Sequence, residues 1–256
     1  MKLNFSKYQG TGNDFILIDN RQSVFQKSDD LITRLCDRKF GIGADGLILI
    51  EEHPELDYRM VYFNADGTES LCGNGSRCGF AFAKSLGLVS ENAQFETTDG
   101  VHEIMEQDGI IHFGFPPIKN SFEEIGEDKY LDTGSPHYIR IVDEVDEVDV
   151  INEGREIRNL SAYSSQNGTN VNFAQLLPEG VRMRTYERGV EDETLSCGTG
   201  ATAVALAASQ LGLKSPVRLE TKGGILSVSF ELKDGFFESI WLAGPAEKVF
   251  EGTVAI

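Results

Sequence analysis

Residues 72–88, CGNGSRCGFAFAKSLGL, and residues 197–213, CGTGATAVALAASQLGL, are two versions of one segment. Both open on Cys-Gly-x-Gly, run through small and apolar residues, and close on Leu-Gly-Leu at an offset of 125 positions. The correspondence continues downstream, where FETTDG (95–100) pairs with LETKGG (219–224). An alternating stretch follows each, broken by Asp108-Gly109 in one and Asp234-Gly235 in the other, which is the pattern of a β-hairpin. Such an interval is too long for a solenoid repeat and reads as duplication of a domain. Each copy is expected to hold a helix that starts at its Cys-Gly-x-Gly and ends near Leu-Gly. The apolar positions of the second helix cover nearly its whole circumference, so it should be buried on all sides. A buried helix followed by hairpins implies strands wrapped about it. The expected fold class is therefore α+β (mixed): two pseudo-symmetric halves, each with strands wrapped around a central buried helix. Pro116-Pro117 marks the boundary between an N-terminal half, 1–117, and a C-terminal half, 118–245.

Composition narrows the function. The chain has 256 residues, enough for one large domain or two smaller ones. Its 23 basic and 41 acidic residues leave a net charge of −18, which repels phosphate backbones and argues against a nucleic-acid partner. Solubility is the plain reading of that charge, with the runs at 123–128 and 143–150 as solvated faces. The longest strongly apolar stretch, ATAVALAA (201–208), is far too short to span a bilayer, and MKLNFSKYQGTGNDF has no signal-peptide pattern. A cytoplasmic protein without membrane partners is expected. Four cysteines, at 36, 72, 78 and 197, form neither a disulfide framework nor a zinc spacing, and no histidine lies at ligand spacing from them. No metal is expected, and each cysteine should be either reactive or packed.

A helix N-terminus presents N–H groups with no intrahelical acceptor and a partial positive charge, while glycines let a ligand approach the backbone. Such a turn binds carboxylates, and a cysteine there is biased towards thiolate. A single Cys-Gly-x-Gly is more often a tight turn with a packed cysteine. Two copies at matching places in a duplicated fold point instead to a thiolate and a thiol serving opposite faces of one carbon, as inversion of a stereocentre requires. Two helix starts aimed at one carboxylate would stabilise the carbanion. Cys78, whose counterpart is Ala203, and Cys36 read as core residues.

The chain closely resembles the diaminopimelate epimerase family. The resemblance covers essentially the whole length through GTGNDFILID (10–19), GIGADGL (41–47), FNADGTESLCGNGSRC (63–78), TGSPHY (133–138), GTNVNF (168–173) and YERGVEDETLSCGTGA (186–201). It implies conversion of LL-diaminopimelate to the meso form in lysine and cell-wall precursor synthesis, without pyridoxal phosphate, metal or nucleotide. It implies two α/β halves with the last strand, 246–256, returning to the first, an active site in the cleft between them, and a homodimer by analogy. Carried over by position, Cys72 and Cys197 match the acid/base pair. Gly73, Asn74, Gly198 and Thr199 match the residues whose backbone N–H groups hold the α-carboxylate. Asn13, Asn64, Asn170, Glu187 and Arg188 match those that recognise the substrate, mostly its distal amino-acid head. His137, with Glu187, is a candidate for polarising the thiols. Many members have Gln where Gly46 stands and Asn where Ser135 stands, and the segment from Arg188 to Cys197 is one residue longer than usual. The distal pocket is therefore expected to be shaped differently here.

Each residue also has a plainer reading. Asn64 before Ala-Asp-Gly can be a turn residue, Arg188-Gly189 a surface loop, and His137 after Pro136 the cap of a strand end. Two rival functions stand beside the epimerase. A two-cysteine proline or hydroxyproline racemase would need no polar distal pocket, which Asn64, Asn170 and Arg188 supply. A non-catalytic amino-acid-binding protein would need no reactive cysteines.

Overall fold

The computed structural model describes residues 2–256. The chain divides into two compact units, one comprising the residues up to Gly114 together with Gly244–Ile256, the other Phe115–Ala243.

The first unit runs β1 (Lys2–Gly10), β2 (Asn13–Asp19), α1 (Asp29–Cys36), β3 (Gly46–Glu51), β4 (Tyr58–Asn64), α2 (Gly73–Ser85), β5 (Asn92–Thr97) and β6 (Gly100–Gln107), and leaves along β7 (Ile110–Phe115). β1 and β2 are antiparallel, β2 and β3 parallel, β3 and β4 antiparallel, β4 and β5 parallel, and β5, β6 and β7 form an antiparallel meander. β2 and β3 read as continuous apolar runs because both their faces are covered. Ile16, Ile18, Leu47 and Leu49 pack with Ile32, Leu35 and Cys36 of α1. α2 lies against β1 to β4 and buries Gly73 through Phe80, with Phe82 and Ala83.

The second unit repeats this plan. It runs β8 (Ile118–Lys119), β9 (Glu123–Ile125), β10 (Asp128–Asp132), β11 (Pro136–Ile141), α3 (Val150–Arg158), β12 (Asn170–Leu177), β13 (Gly180–Glu187), β14 (Asp192–Thr194), α4 (Gly198–Gln210), β15 (Val217–Thr221), β16 (Gly224–Lys233) and β17 (Phe236–Gly244). β10–β11 is antiparallel, β11–β12 parallel, β12–β13 antiparallel, β13–β15 parallel and β15–β16–β17 antiparallel, the same sequence of senses as in the first unit. α3 takes the place of α1, with Val150 and Ile157 against Tyr138, Val171, Phe173 and Tyr186. α4 lies against strands from β10 to β16, and every residue from Gly200 to Ala208 is buried. Its alanines let strands approach from all sides, and a fully buried Leu206 is worth about 1.5–3 kcal/mol. The chain then returns to the first unit as β18 (Glu247–Ala255), antiparallel to β1 with Leu3 opposite Val254.

Both Asp-Gly dipeptides form two-residue hairpin turns. Asp108 and Gly109 have φ of 52° and 78°, and Asp234 and Gly235 have 51° and 82°, the positive pair that a type I′ turn needs. The acidic runs are not wholly solvated. Asp128 accepts from Arg140 Nη2 at 2.9 Å and from the Tyr138 hydroxyl, while Val145 and Val150 are buried between exposed acids. Among the described residues no helix is long and apolar enough to cross a membrane.

Candidate active site

In both units candidate residues come from the end of the repeat's fourth strand and the first turn of its central helix, while Asn13 opens the second strand of the first unit and His137 and Asn170 lie on the second and third strands of the second.

In the first unit Cys72 is the N-cap of α2, with extended backbone (φ −135°, ψ 110°). Its sulfur accepts from the Gly75 N–H at 3.3 Å and lies 3.5 Å from Asn13 Oδ1. Asn13 follows a tight turn in which Thr11 and Gly12 have φ of 51° and 85°. Its amide donates to Asp45 Oδ2 at 2.6 Å, so the oxygen is the atom turned to the cysteine. Asn74 Nδ2 lies 3.5 Å from the same oxygen. Gly73 and Asn74 open the helix, where N–H groups lack intrahelical acceptors. Asn64 ends β4 opposite Gly46, and its amide donates to Thr68 Oγ1 at 3.0 Å and Ser70 Oγ at 3.2 Å, on the segment that leads into Cys72.

In the second unit Cys197 caps α4 with nearly the same backbone (φ −123°, ψ 113°) and is 6% exposed. Its sulfur lies 3.5 Å from Thr199 Oγ1, which is 2.9 Å from His137 Nε2. Asn172 Nδ2 lies 3.2 Å from His137 Nδ1 and donates to the Tyr138 carbonyl at 2.9 Å. Since an amide nitrogen can only donate, Nδ1 is the acceptor and Nε2 carries the proton, an assignment made from the network. Burial first, and the Arg188 charge second, pull His137 down to about 3, so it is neutral at physiological pH. Asn170 donates to Ser135 Oγ at 2.9 Å and to the Pro136 carbonyl at 3.0 Å, and accepts from the Arg188 N–H at 2.9 Å. It thus ties the β10–β11 turn to the end of β13, where half-buried Glu187 and Arg188 stand. Arg188 Nη1 lies 3.5 Å from the Gly168 carbonyl. Thr133 Oγ1 donates to the Thr199 carbonyl at 3.2 Å and supports the first turn of α4.

The three places expected to depart from the family pattern have physical correlates. Tyr62 fills the space beside Gly46: a Cβ there would stand 2.4 Å from the ring and 2.8 Å from the hydroxyl. Ser135 accepts the Asn170 amide. In the longer segment, Glu191 bonds Arg158 Nη2 at 2.7 Å, and Glu193 bonds Arg184 at 2.7 Å and Lys222 at 2.8 Å. Those carboxylates therefore anchor the loop. Cys36 and Cys78 are buried, and burial pushes both thiols up, Cys36 to about 12.

Sequence reasoning passed over Asp45, Thr133, Asn172 and Arg77. Asn172 had a signal: an asparagine inside VNF, on a strand apolar on both faces, needs partners for its amide. Arg77 had none, since an arginine on a helix ordinarily lies in water.

The architecture is shared with solved structures. It matches the Bacillus anthracis phenazine biosynthesis protein of the PhzF family with a TM-score of 0.78 at 16% identity, covering 100% of both chains. It also matches a probable proline racemase from Agrobacterium radiobacter with a TM-score of 0.71 at 14% identity, over 99% of this chain and 93% of that one. At such identities the likeness is one of fold. The sequence goes further. The family model for diaminopimelate epimerase matches residues 5–111 and 129–249. The diaminopimelate epimerase of Flavobacterium psychrophilum is 49% identical over 97% of this chain and 98% of its own length. That of Chlorobaculum tepidum is 40% identical over 96% and 99%. The chain belongs to the diaminopimelate epimerase family and is an isomerase.

Proposed function

We propose that the protein interconverts LL- and meso-diaminopimelate by two-base proton transfer between Cys72 and Cys197. The observation that carries the reading is the repeated helix start, a cysteine N-cap followed by Gly-x-Gly in each unit of a chain that matches the family along its length. One sulfur, as thiolate, takes the α-proton, and the other, as thiol, delivers a proton to the opposite face. The reverse reaction exchanges the roles, so the balance closes without a further reactant. Gly73, Asn74, Gly198 and Thr199 offer backbone N–H groups to the α-carboxylate, which gains charge as the carbanion forms. Asn13 orients Cys72, and His137 orients Cys197 through the Thr199 hydroxyl. Asn64, Asn170, Glu187 and Arg188 serve the distal head, where a guanidinium suits a carboxylate and a carboxylate suits an ammonium. The halves 1–117, with 246–256, and 118–245 each supply one proton carrier. The reading also assigns the protein to the cytoplasm, with a homodimer as its working assembly.

The test is incubation with LL-diaminopimelate in deuterated water, read by mass spectrometry. Deuterium should enter at one α-carbon as meso product forms. Cys72→Ala and Cys197→Ala should each abolish epimerisation, and Cys78→Ala should retain most of it. Binding without exchange would make the protein a receptor, and exchange of proline in preference would make it a racemase of the other class.

A further inference from the structure

Arg77 is 0% exposed and heads the fully buried side chains in size. From the body of α2 its guanidinium reaches back to the first helical turn. It donates to Asn74 Oδ1 at 2.9 Å, Thr11 Oγ1 at 3.3 Å, and the carbonyls of Gly73 and Pro245, each at 3.4 Å. Gly10 on β1 packs over this turn, where a Cβ would press on the Asn74 carbonyl at 3.2 Å and Cys78 Sγ at 3.3 Å. All four acceptors are neutral, and among the described residues no ion pair involves Arg77. Burial pulls Arg77 down to about 10, so it is charged at neutral pH.

An uncompensated charge in a protein interior costs several kcal/mol, and its retention asks for a negative charge nearby. Two thiols stand near it along the chain: Cys78, its neighbour on α2, and Cys72, the cap of the helical turn whose Gly73 carbonyl and Asn74 side chain Arg77 holds. Cys78 is wholly buried, and burial holds its thiol protonated. Cys72 is half-buried and sits on the positive end of α2. Asp14, the carboxylate with a bearing on this region, is tied to Lys7 at 2.7 Å and Arg38 at 2.6 Å. Asp45 is held by Arg38 and Asn13. In the second unit the position 125 residues on is Thr202, buried and donating to the Gly198 carbonyl at 3.1 Å. The cation of that half-site is Arg188, half-buried, acting on a neutral His137.

We infer that Arg77 is a positioning residue whose fixed positive charge holds Cys72 as the thiolate in the resting protein, and that it aligns Asn74, and through it Asn13, about the sulfur. The inference rests on the reading of Cys72 as one of the proton-transfer pair. It gives the first half-site a buried cation at the position where the second carries Thr202.

The test follows alkylation by iodoacetamide against pH on the full chain, resolved for each cysteine by peptide mass spectrometry. In the unaltered protein the pH midpoint for Cys72 should lie below that for Cys197. Arg77→Met should raise the Cys72 midpoint by about 1–3 pH units and leave Cys197 in place, with Arg77→Lys restoring most of the difference. Arg77→Met should also lower kcat more than it raises KM, and move the acid limb of the pH profile upward. A Cys72 midpoint at or above that of Cys197 in the unaltered protein overturns the inference, and that comparison requires no variant to fold. A Cys72 midpoint unmoved by Arg77→Met overturns it as well. A protein that fails to exchange LL-diaminopimelate, yet shows the Arg77-dependent midpoint, sinks the functional reading and leaves this one standing.

Discussion

Asn172, His137 and Thr199 form a line of neutral donors ending at the Cys197 sulfur. The line works because His137 is held uncharged, and that has a measurable cost. The folded chain keeps its imidazole neutral down to about 3, whereas an ordinary imidazole takes a proton near 6.5. Between those values the unfolded chain binds a proton that the folded chain refuses, so stability must fall as pH drops through that window. Urea midpoints from pH 7 to pH 4 should show a loss on the order of a few kcal/mol, and His137→Gln should flatten much of the slope. An unchanged slope in the variant would mean that His137 is not buried as described. Asp14 adds a separate loss at lower pH. Burial pushes its carboxyl up, but hydrogen bonds from Arg38 and Lys7 outweigh this and hold it at about 2, so its contribution is present above about pH 4 and fades below.

The two central helices are seated by what their glycines leave empty. A Cβ on Gly200 would stand 2.5 Å from Asn172 Oδ1, the atom that accepts the Thr185 hydroxyl and fixes the amide facing His137. Gly200→Ala should therefore destabilise the protein by about 1–3 kcal/mol and cut turnover more than substrate binding. Thermal denaturation and steady-state kinetics test this together, and a variant of parental stability and kcat would contradict the placement of α4 on Asn172. The helix starts and the Asp-Gly hairpins were legible in the sequence because few residues meet their backbone demands. Cys72 accepts a backbone N–H as a cap does, Cys197 repeats its backbone without a side-chain cap bond, and a type I′ turn needs two positive φ values. The buried course of α4 was legible in its run of apolar residues. Less legible were side chains whose role depends on what another element brings beside them. Arg77 reads as a solvated cation until Gly10, Thr11 and Pro245 close over it, and the neighbour of Gly46 is a tyrosine sixteen positions away.

Across the whole molecule, duplication explains more than the helices. The same order of parallel and antiparallel pairings puts Thr11-Gly12-Asn13 and Thr133-Gly134-Ser135 at equivalent turns, and Asn64 and Glu187 at equivalent strand ends. Equivalent scaffolds then carry unlike chemistry, with Arg77 against Thr202 and Asn13 against Ser135. Reaction in both directions needs two proton carriers on like scaffolds, while handling a substrate with one centre reacting and another held needs unlike surroundings. The claim beneath this is that two sulfurs, not one, move the proton. It is tested most directly by the isotopic content of both diaminopimelate isomers at low conversion in deuterated water. A two-thiol enzyme loads deuterium into the newly formed meso product while recovered LL substrate remains protiated. Deuterium shared between substrate and product from the outset, or a product that keeps the original proton, would mean that a single base serves both faces and would contradict the account.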